Sequence, residues 1–350
     1  MSTQRLRVVV AAPFHAENAA VITDKEPRIE LVYEPELLPP MRHPADFSGD
    51  PSYQRTAEQQ RRYCELLDSA DALYGIPDVN PLELARTVRA NPRLQWVHTM
   101  AAGGGGQVKA ANLSDEELAR VTFTTSAGVH GEPLAEFALF GVLAGAKDLH
   151  RLLHQQQQKN WSDRWAMRQI TDMTILVLGV GGIGRSVATK ASALGARVVG
   201  YSRRTEVPDG FDAVVGPAEL KKAVAAADAI VTTLPGTAHT ENLINADLLE
   251  HARENVIIVN VGRGTVINEP ELTAFLQQHP AAFAALDVFA HEPLSADSPL
   301  WAMSNVLIAP HTAALTTSEE KRIAELFASN ATSLLNGEPL RNVVDTVEFY

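Results

Sequence analysis

The chain has 350 residues, 45% hydrophobic and 21% charged, with a formal net charge of −12. That length allows two domains, the composition excludes a disordered or fibrous protein, and the acidic balance argues against a general nucleic-acid binder. The single cysteine, Cys64, excludes an intramolecular disulfide, and no stretch reads as a leader or a membrane span, so a cytoplasmic protein away from membranes is expected.

Apolar runs alternate with amphipathic ones along the chain, the pattern of an α/β protein with parallel sheets. In the first third the spacing predicts strands at 5–12, 29–33, 72–76, 94–100 and 121–126, with a helix over 57–70. Residues 34–53 carry Pro35, Pro39, Pro40, Pro44 and Pro51 and read as a long loop. Its Arg42, His43 and Tyr53 are taken as surface residues, with contact to a substrate as the alternative. A long helix-prone stretch, 131–158, leads into a second series of strands at 174–179, 196–202, 228–235, 255–262, 281–289 and 305–310. Their continuous Val/Ile/Leu runs suit strands covered on both faces by helices.

"VLGVGGIG" places Gly179, Gly181 and Gly184 in G-x-G-x-x-G spacing, with Gly182 and Ile183 between them. The spacing alone is weak. Its context is stronger: an apolar strand precedes it, the helix "GRSVATKASALG" follows, and another strand ends about 20 residues on, as dinucleotide binding requires. Gly179 permits the tight turn, Gly181 admits the pyrophosphate, and Gly184 lets helix and strand pack. The helix N-terminus then offers amide donors to the phosphates.

Three later segments, "VNVGRGTVINE", "ALDVFAHEPL" and "APHTA", each place a charged residue after a predicted strand. Ligands of open α/β sheets bind at the C-terminal strand ends, so Arg263, Glu292 and His311 are expected to converge. Singly, each also reads as a solvated loop charge or, for His311, a bonded buried group.

Taken in order, "GEPLAEFAL", "GVGGIG", "NVGRGTVINE", "LDVFAHEPL", "PLW" and "NVLIAPHTA" resemble the D-isomer-specific 2-hydroxyacid dehydrogenases, and the likeness covers essentially the whole chain. It implies a Rossmann doubly wound parallel-sheet cofactor domain over 127–310. A smaller flavodoxin-like α/β substrate domain would comprise 1–126 and 311–350, with the active site between the two. The activity implied is glyoxylate/hydroxypyruvate reductase-like hydride transfer between NAD(P)H and a small 2-oxo acid.

The same resemblance implies residue roles. Arg263 would bind the substrate carboxylate and carbonyl oxygen, for which a two-pronged guanidinium is suited. His311 would be the general acid in reduction and the base in oxidation, since imidazoles exchange protons near neutrality. Glu292 would orient its ring, and Asp287 would lie near the nicotinamide carboxamide. Leu234, Pro235 and Thr240 in "LPGTAHT" would pass beneath the adenosine and ribose, with Val261 and Gly262 also beside the cofactor. In "MAAGGGGQV", Ala102, Gly103 and Gly104 would hold the substrate carboxylate on backbone amides, a merely flexible turn being the other reading. No metal is expected. The 131–158 helix, with Trp161 and Trp165 after it, resembles the region through which family members form dimers, so a homodimer is expected.

"VVGYSRRTEV" departs from the NAD-preferring pattern, in which an aspartate closes this strand. Ser202 falls at that position. It can donate to a 2′-phosphate, and Arg203 and Arg204 can pair with its charge, so NADP is the expected cofactor with NAD possible. A solvated arginine pair is the plain alternative. Two other functions remain open: 3-phosphoglycerate dehydrogenase, which would want more cations than Lys109 near the 101–106 loop, and a nucleotide-sensing corepressor-like binding protein.

Overall fold

The structure is a computed structural model describing residues 5–204, 206–347 and 349. The chain divides into two compact units, one ending at His130 and resuming at Leu315, the other running Gly131–Ala314.

The first unit alternates β1 (Leu6–Val10), α1 (Glu17–Lys25), β2 (Ile29–Val32), α2 (Ala57–Leu67), β3 (Ala72–Tyr74), α3 (Pro81–Ala90), β4 (Trp96–His98), α4 (Gly105–Ala110), α5 (Asp115–Arg120) and β5 (Thr122–Thr124). Its strands are parallel in the order β2-β1-β3-β4-β5, which is the flavodoxin-like order. Local sequence sets the helix starts. Thr56 caps α2 by accepting from the Gln59 amide while Gln59 accepts from the Thr56 amide, a reciprocal box that satisfies two otherwise orphaned donors. Trp96, Tyr63, Tyr74 and Phe123 are fully buried in the core.

The second unit continues with α6 (Gly131–Ala146), α7 (Leu149–Gln157), β6 (Thr174–Leu178), α8 (Gly182–Ala193), β7 (Arg197–Tyr201), β8 (Ala213–Val215), α9 (Leu220–Ala226), β9 (Ala229–Thr232), α10 (Ala246–Leu249), β10 (Ile257–Asn260), α11 (Glu269–Gln278), β11 (Phe283–Leu286) and β12 (Val306–Ile308). The order β12-β11-β10-β9-β6-β7-β8 is all parallel. Counted from β6, it is the doubly wound 3-2-1-4-5-6 arrangement with one added edge strand. Every residue of β9, β10 and β11 is buried, as strands covered on both faces must be. The last helix, α12 (Glu319–Asn336), returns to the first unit, where Phe327 stacks on Trp96 with ring centroids 4.4 Å apart.

The structure departs from the sequence expectations at several points. Residues 131–158 form two helices rather than one, because Asp148 takes a left-handed conformation (φ 51°) that ends the first rod. The helix after the glycine loop begins at Gly182, two residues earlier than expected. Edge strand β8 was not anticipated; its Ala-Val-Val is too short to carry a period of its own. The unit boundaries fall at 130/131 and 314/315 rather than 126/127 and 310/311, which puts His311 in the second unit. The physical reason is a tether. The His311 amide donates to the Asp287 carbonyl at 2.9 Å, and the Thr312 and Ala313 amides donate to the Asp287 carboxylate at 2.8 and 3.0 Å. The 34–53 loop is held by its own polar contacts. Arg42 is bonded to Asp46, the Tyr53 hydroxyl donates to the Glu36 carbonyl, and the His43 ring lies against the Pro44 carbonyl.

Candidate active site

At the end of β6 the chain turns sharply through Gly179, whose φ of +106° suits glycine and few other residues. A Cβ on Gly184 would stand 1.9 Å from the Gly179 carbonyl oxygen, so the helix start packs directly on the turn. Around Gly181 and Gly182, by contrast, an added Cβ would meet nothing within 4 Å, leaving open space above the loop. The first hydrogen bond of α8 runs from the Arg185 amide to the Gly181 carbonyl at 2.9 Å. The amides of Gly182, Ile183 and Gly184 therefore precede the helical ladder and stand available to an anion. A dinucleotide pyrophosphate fits that combination of free donors and empty space.

Neighbouring strand ends close on this turn. The Thr233 hydroxyl donates to the carbonyls of Leu178 and Gly179 at 3.1 and 3.2 Å. Gly262 lies so near Leu234 that a Cβ there would come within 2.5 Å of its carbonyl oxygen. Thr240 folds its own loop by donating to the Pro235 carbonyl at 2.6 Å, and Val261 is buried below. At the end of β7 the Ser202 hydroxyl accepts from the Arg204 amide at 3.0 Å, while Arg203 and Arg204 are exposed. Among the described residues nothing accepts the hydroxyl proton of Ser202, which is left to donate.

Arg263, Glu292 and His311, each at the end of a different strand-to-loop segment, line one cavity of about 230 Å³ with Gly264, Thr265, Phe289 and Ala290. The His311 Nδ1 atom is 2.7 Å from Glu292 Oε2, and the other Glu292 oxygen accepts from the Phe289 amide at 2.9 Å. That second bond fixes the carboxylate, and the carboxylate fixes the ring. Among the described residues nothing bonds to His311 Nε2, and the side chain is half-exposed at 49%. Arg263 spends one N–H on the Gly262 carbonyl at 2.8 Å, and among the described residues nothing accepts from the rest of its fork. The arrangement offers a cation to an anionic or carbonyl oxygen and an oriented imidazole to a proton in transit.

In the first unit, Ala102 and Gly103 are exposed and Gly104 is buried. Among the described residues, no group accepts from the amides of these three.

Two supports were not read from the sequence. Asn260, fully buried at the end of β10, accepts from the Gly262 amide and donates to the Arg263 carbonyl, both at 3.0 Å, and so brackets the arginine. The signal was present in "IIVNVG": a polar amide closing an apolar strand. Asp287, buried, binds the amides of Thr312 and Ala313 and thereby holds the turn that carries His311. Its pairing with residues 25 and 26 positions away had no local sequence signature.

Known proteins similar to this chain show its family. The sequence model described as "D-isomer specific 2-hydroxyacid dehydrogenase, NAD binding domain" matches residues 139–313. A glyoxylate reductase of Aeropyrum pernix is 30% identical over 267 residues, covering 73% of this chain and 77% of that protein. A glyoxylate/hydroxypyruvate reductase A of Serratia proteamaculans is 32% identical over 221 residues, covering 63% and 69%. Among solved structures, a D-isomer specific 2-hydroxyacid dehydrogenase from Xanthobacter autotrophicus in complex with NADPH and MES superposes with a TM-score of 0.76 at 26% identity, covering 99% of this chain and 100% of that one. With a doubly wound nucleotide-binding unit, an Arg–Glu–His cavity at its strand ends and these relatives, the chain belongs to the D-isomer-specific 2-hydroxyacid dehydrogenase family, oxidoreductases that act on CH–OH donors with a nicotinamide cofactor.

Proposed function

We propose that this dehydrogenase reduces a small 2-oxo acid of the glyoxylate or hydroxypyruvate type, with NADPH as the preferred cofactor. The observation that carries the reading is the His311–Glu292 pair in one cavity with Arg263. The bound nicotinamide supplies hydride to the carbonyl carbon, and this chain's residues do the rest. Arg263 holds the carboxylate and draws charge onto the carbonyl oxygen. His311, steered through Nδ1 by Glu292, presents Nε2 and gives that oxygen its proton. The amides of Ala102, Gly103 and Gly104, unbonded among the described residues, take the substrate carboxylate.

The cofactor is seated on the amides of Gly182, Ile183 and Gly184 above the turn of Gly179 and Gly181, flanked by Leu234, Pro235, Thr240, Val261, Gly262 and Asp287. Ser202, Arg203 and Arg204 receive the 2′-phosphate. Their exposed guanidinium groups and the Ser202 hydroxyl stand where a carboxylate would repel it. The Xanthobacter relative's complex with NADPH supports this choice.

Two copies associate through α6, α7 and the segment after them, where Phe140, Leu153, Trp161 and Met167 leave apolar surface exposed. The enzyme works in the cytoplasm, a reducing setting that suits the unpaired Cys64. No helix among the described residues is long and apolar enough to cross a membrane. Initial rates with glyoxylate, hydroxypyruvate, pyruvate and 3-phosphohydroxypyruvate, each with NADPH and NADH, test the function. The expected result is turnover of the small acids with higher kcat/KM for NADPH. Absence of turnover with all four despite cofactor binding contradicts it.

A further inference from the structure

His98 ends β4 with its ring fully buried, two residues after Trp96 on the same face of the strand. Both ring nitrogens are occupied: Nδ1 lies 2.8 Å from Thr124 Oγ1 and Nε2 lies 3.1 Å from Ser126 Oγ. The surrounding donors decide the tautomer. Trp96 Nε1 donates to Thr124 Oγ1 at 2.8 Å, leaving the Thr124 proton for His98 Nδ1. Ser126 Oγ donates to the Thr99 carbonyl at 3.1 Å, so it must receive its own bond from His98 Nε2–H. The chain of bonds therefore runs one way, from the Trp96 indole through Thr124, His98 and Ser126 to Thr99. Burial holds the His98 ring neutral, lowering its pKa to about 3, and the neutral ring is the form the chain requires.

This chain ends at the glycine loop. The Thr99 hydroxyl donates to the Ala101 carbonyl at 3.2 Å, and the Ser126 amide donates to the same oxygen at 3.4 Å. A Cβ added to Gly104 would fall 1.9 Å from Thr99 Oγ1, so the loop rests directly on the threonine that the relay fixes. A well-packed apolar core would be served by Leu at 98 and Val at 124. Five fully buried residues, Trp96, His98, Thr99, Thr124 and Ser126, instead form a saturated polar network at a strand end, an arrangement that is costly unless every member is satisfied.

We propose that His98 is a positioning residue for the 2-oxo acid: through Ser126 and Thr99 it sets the backbone of 101–104 in the form that receives the substrate carboxylate. The inference rests on the reading that the Ala102, Gly103 and Gly104 amides bind that carboxylate. Thr124 and Ser126 belong to the same device.

Steady-state kinetics with glyoxylate and NADPH, on the full chain, test it with four variants. Thr124→Val keeps the side-chain shape and removes the hydroxyl; Ser126→Ala removes the last link; Thr124→Ser restores the hydroxyl with less bulk. Ala102→Pro removes an amide donor and tests the underlying loop reading. Thr124→Val and Ser126→Ala are expected to raise the glyoxylate KM roughly tenfold while kcat and NADPH affinity stay near wild type. Thr124→Ser is expected to behave as wild type. If both hydroxyl-deleting variants lower Tm but leave KM unchanged, the positioning role is overturned and the network is only structural. Loss shared equally by kcat and NADPH affinity overturns it as well. If Ala102→Pro folds, binds NADPH and keeps its KM, the loop reading itself fails; if it raises KM while Ser126→Ala does not, only the role of His98 fails.

Discussion

The strand ends of the two sheets use polar residues in opposite ways. At the end of β4 in the first unit, His98 is fully buried, bonded through both nitrogens and surrounded by hydroxyls whose bonds are all spent. At the loops after β10, β11 and β12 in the second unit, His311 is half-exposed, bonded through one nitrogen, and shares a cavity with an arginine that keeps most of its donors. A histidine that has spent both nitrogens can only hold other groups in place. One that keeps a nitrogen toward open space can move a proton, provided a fixed partner orients it. The same residue type thus serves support in one unit and chemistry in the other, and burial with hydrogen bonding separates the two roles.

That contrast can be broken in several places. The largest effect is expected at Arg263: Arg263→Ala should lower kcat/KM by roughly a thousandfold, since it removes charge both at the substrate carboxylate and at the oxygen that gains charge. Saturation with substrate should recover only part of the rate. Glu292→Gln keeps the shape but not the charge beside His311, and kcat should fall roughly a hundredfold with NADPH affinity intact. Equal kcat for variant and wild type would show that Glu292 does not steer the imidazole.

On the first unit's side, the response to pH is expected in stability. The unfolded chain protonates His98 near 6.5, whereas the folded ring resists until about 3. Unfolded molecules thus bind the extra proton between these values, and stability should fall as pH drops through that window, by about 1.4 kcal/mol per pH unit. Glu26 and Asp46 do not share the upper part of the window. Hydrogen bonds from Arg28 and Arg42 hold both near 2 against ordinary values of 4.5 and 3.8, so their stabilisation is lost only as pH falls from about 4.5 towards 2. His150, also held low by burial, adds a fall of the same sign. His98→Gln should therefore flatten the Tm–pH curve between 6.5 and 4.5 without abolishing its slope; an unchanged curve would mean His98 does not resist protonation. The smallest effect is expected at the end of β7, where Arg203→Ala should weaken NADPH binding roughly tenfold and leave NADH unchanged.

The contrast also marks what a reader of the sequence can see. Most strands of both sheets are visible because they are largely apolar runs bounded by turn residues, as in "TILVLG". Arg263, Glu292 and His311 were visible because each is a charge set among small residues just past such a run. Local continuity does not reveal pairings across distance. The Asp287 bonds to Thr312 and Ala313 move His311 into the second unit, and nothing near 287 announces them. The His98 relay is hidden for the same reason, since "WVH" and "TFTTS" read as ordinary strands until the sheet lays β4 beside β5. Edge strand β8 and the break at Asp148 lie below the length at which periodicity speaks.

The most direct test of the account is the initial rate of NADPH oxidation with glyoxylate, measured side by side for wild type and His311→Ala. Wild type is expected to turn over readily and the variant to lose at least roughly a hundredfold, with NADPH affinity unchanged. A variant that reduces glyoxylate at the wild-type rate would contradict it.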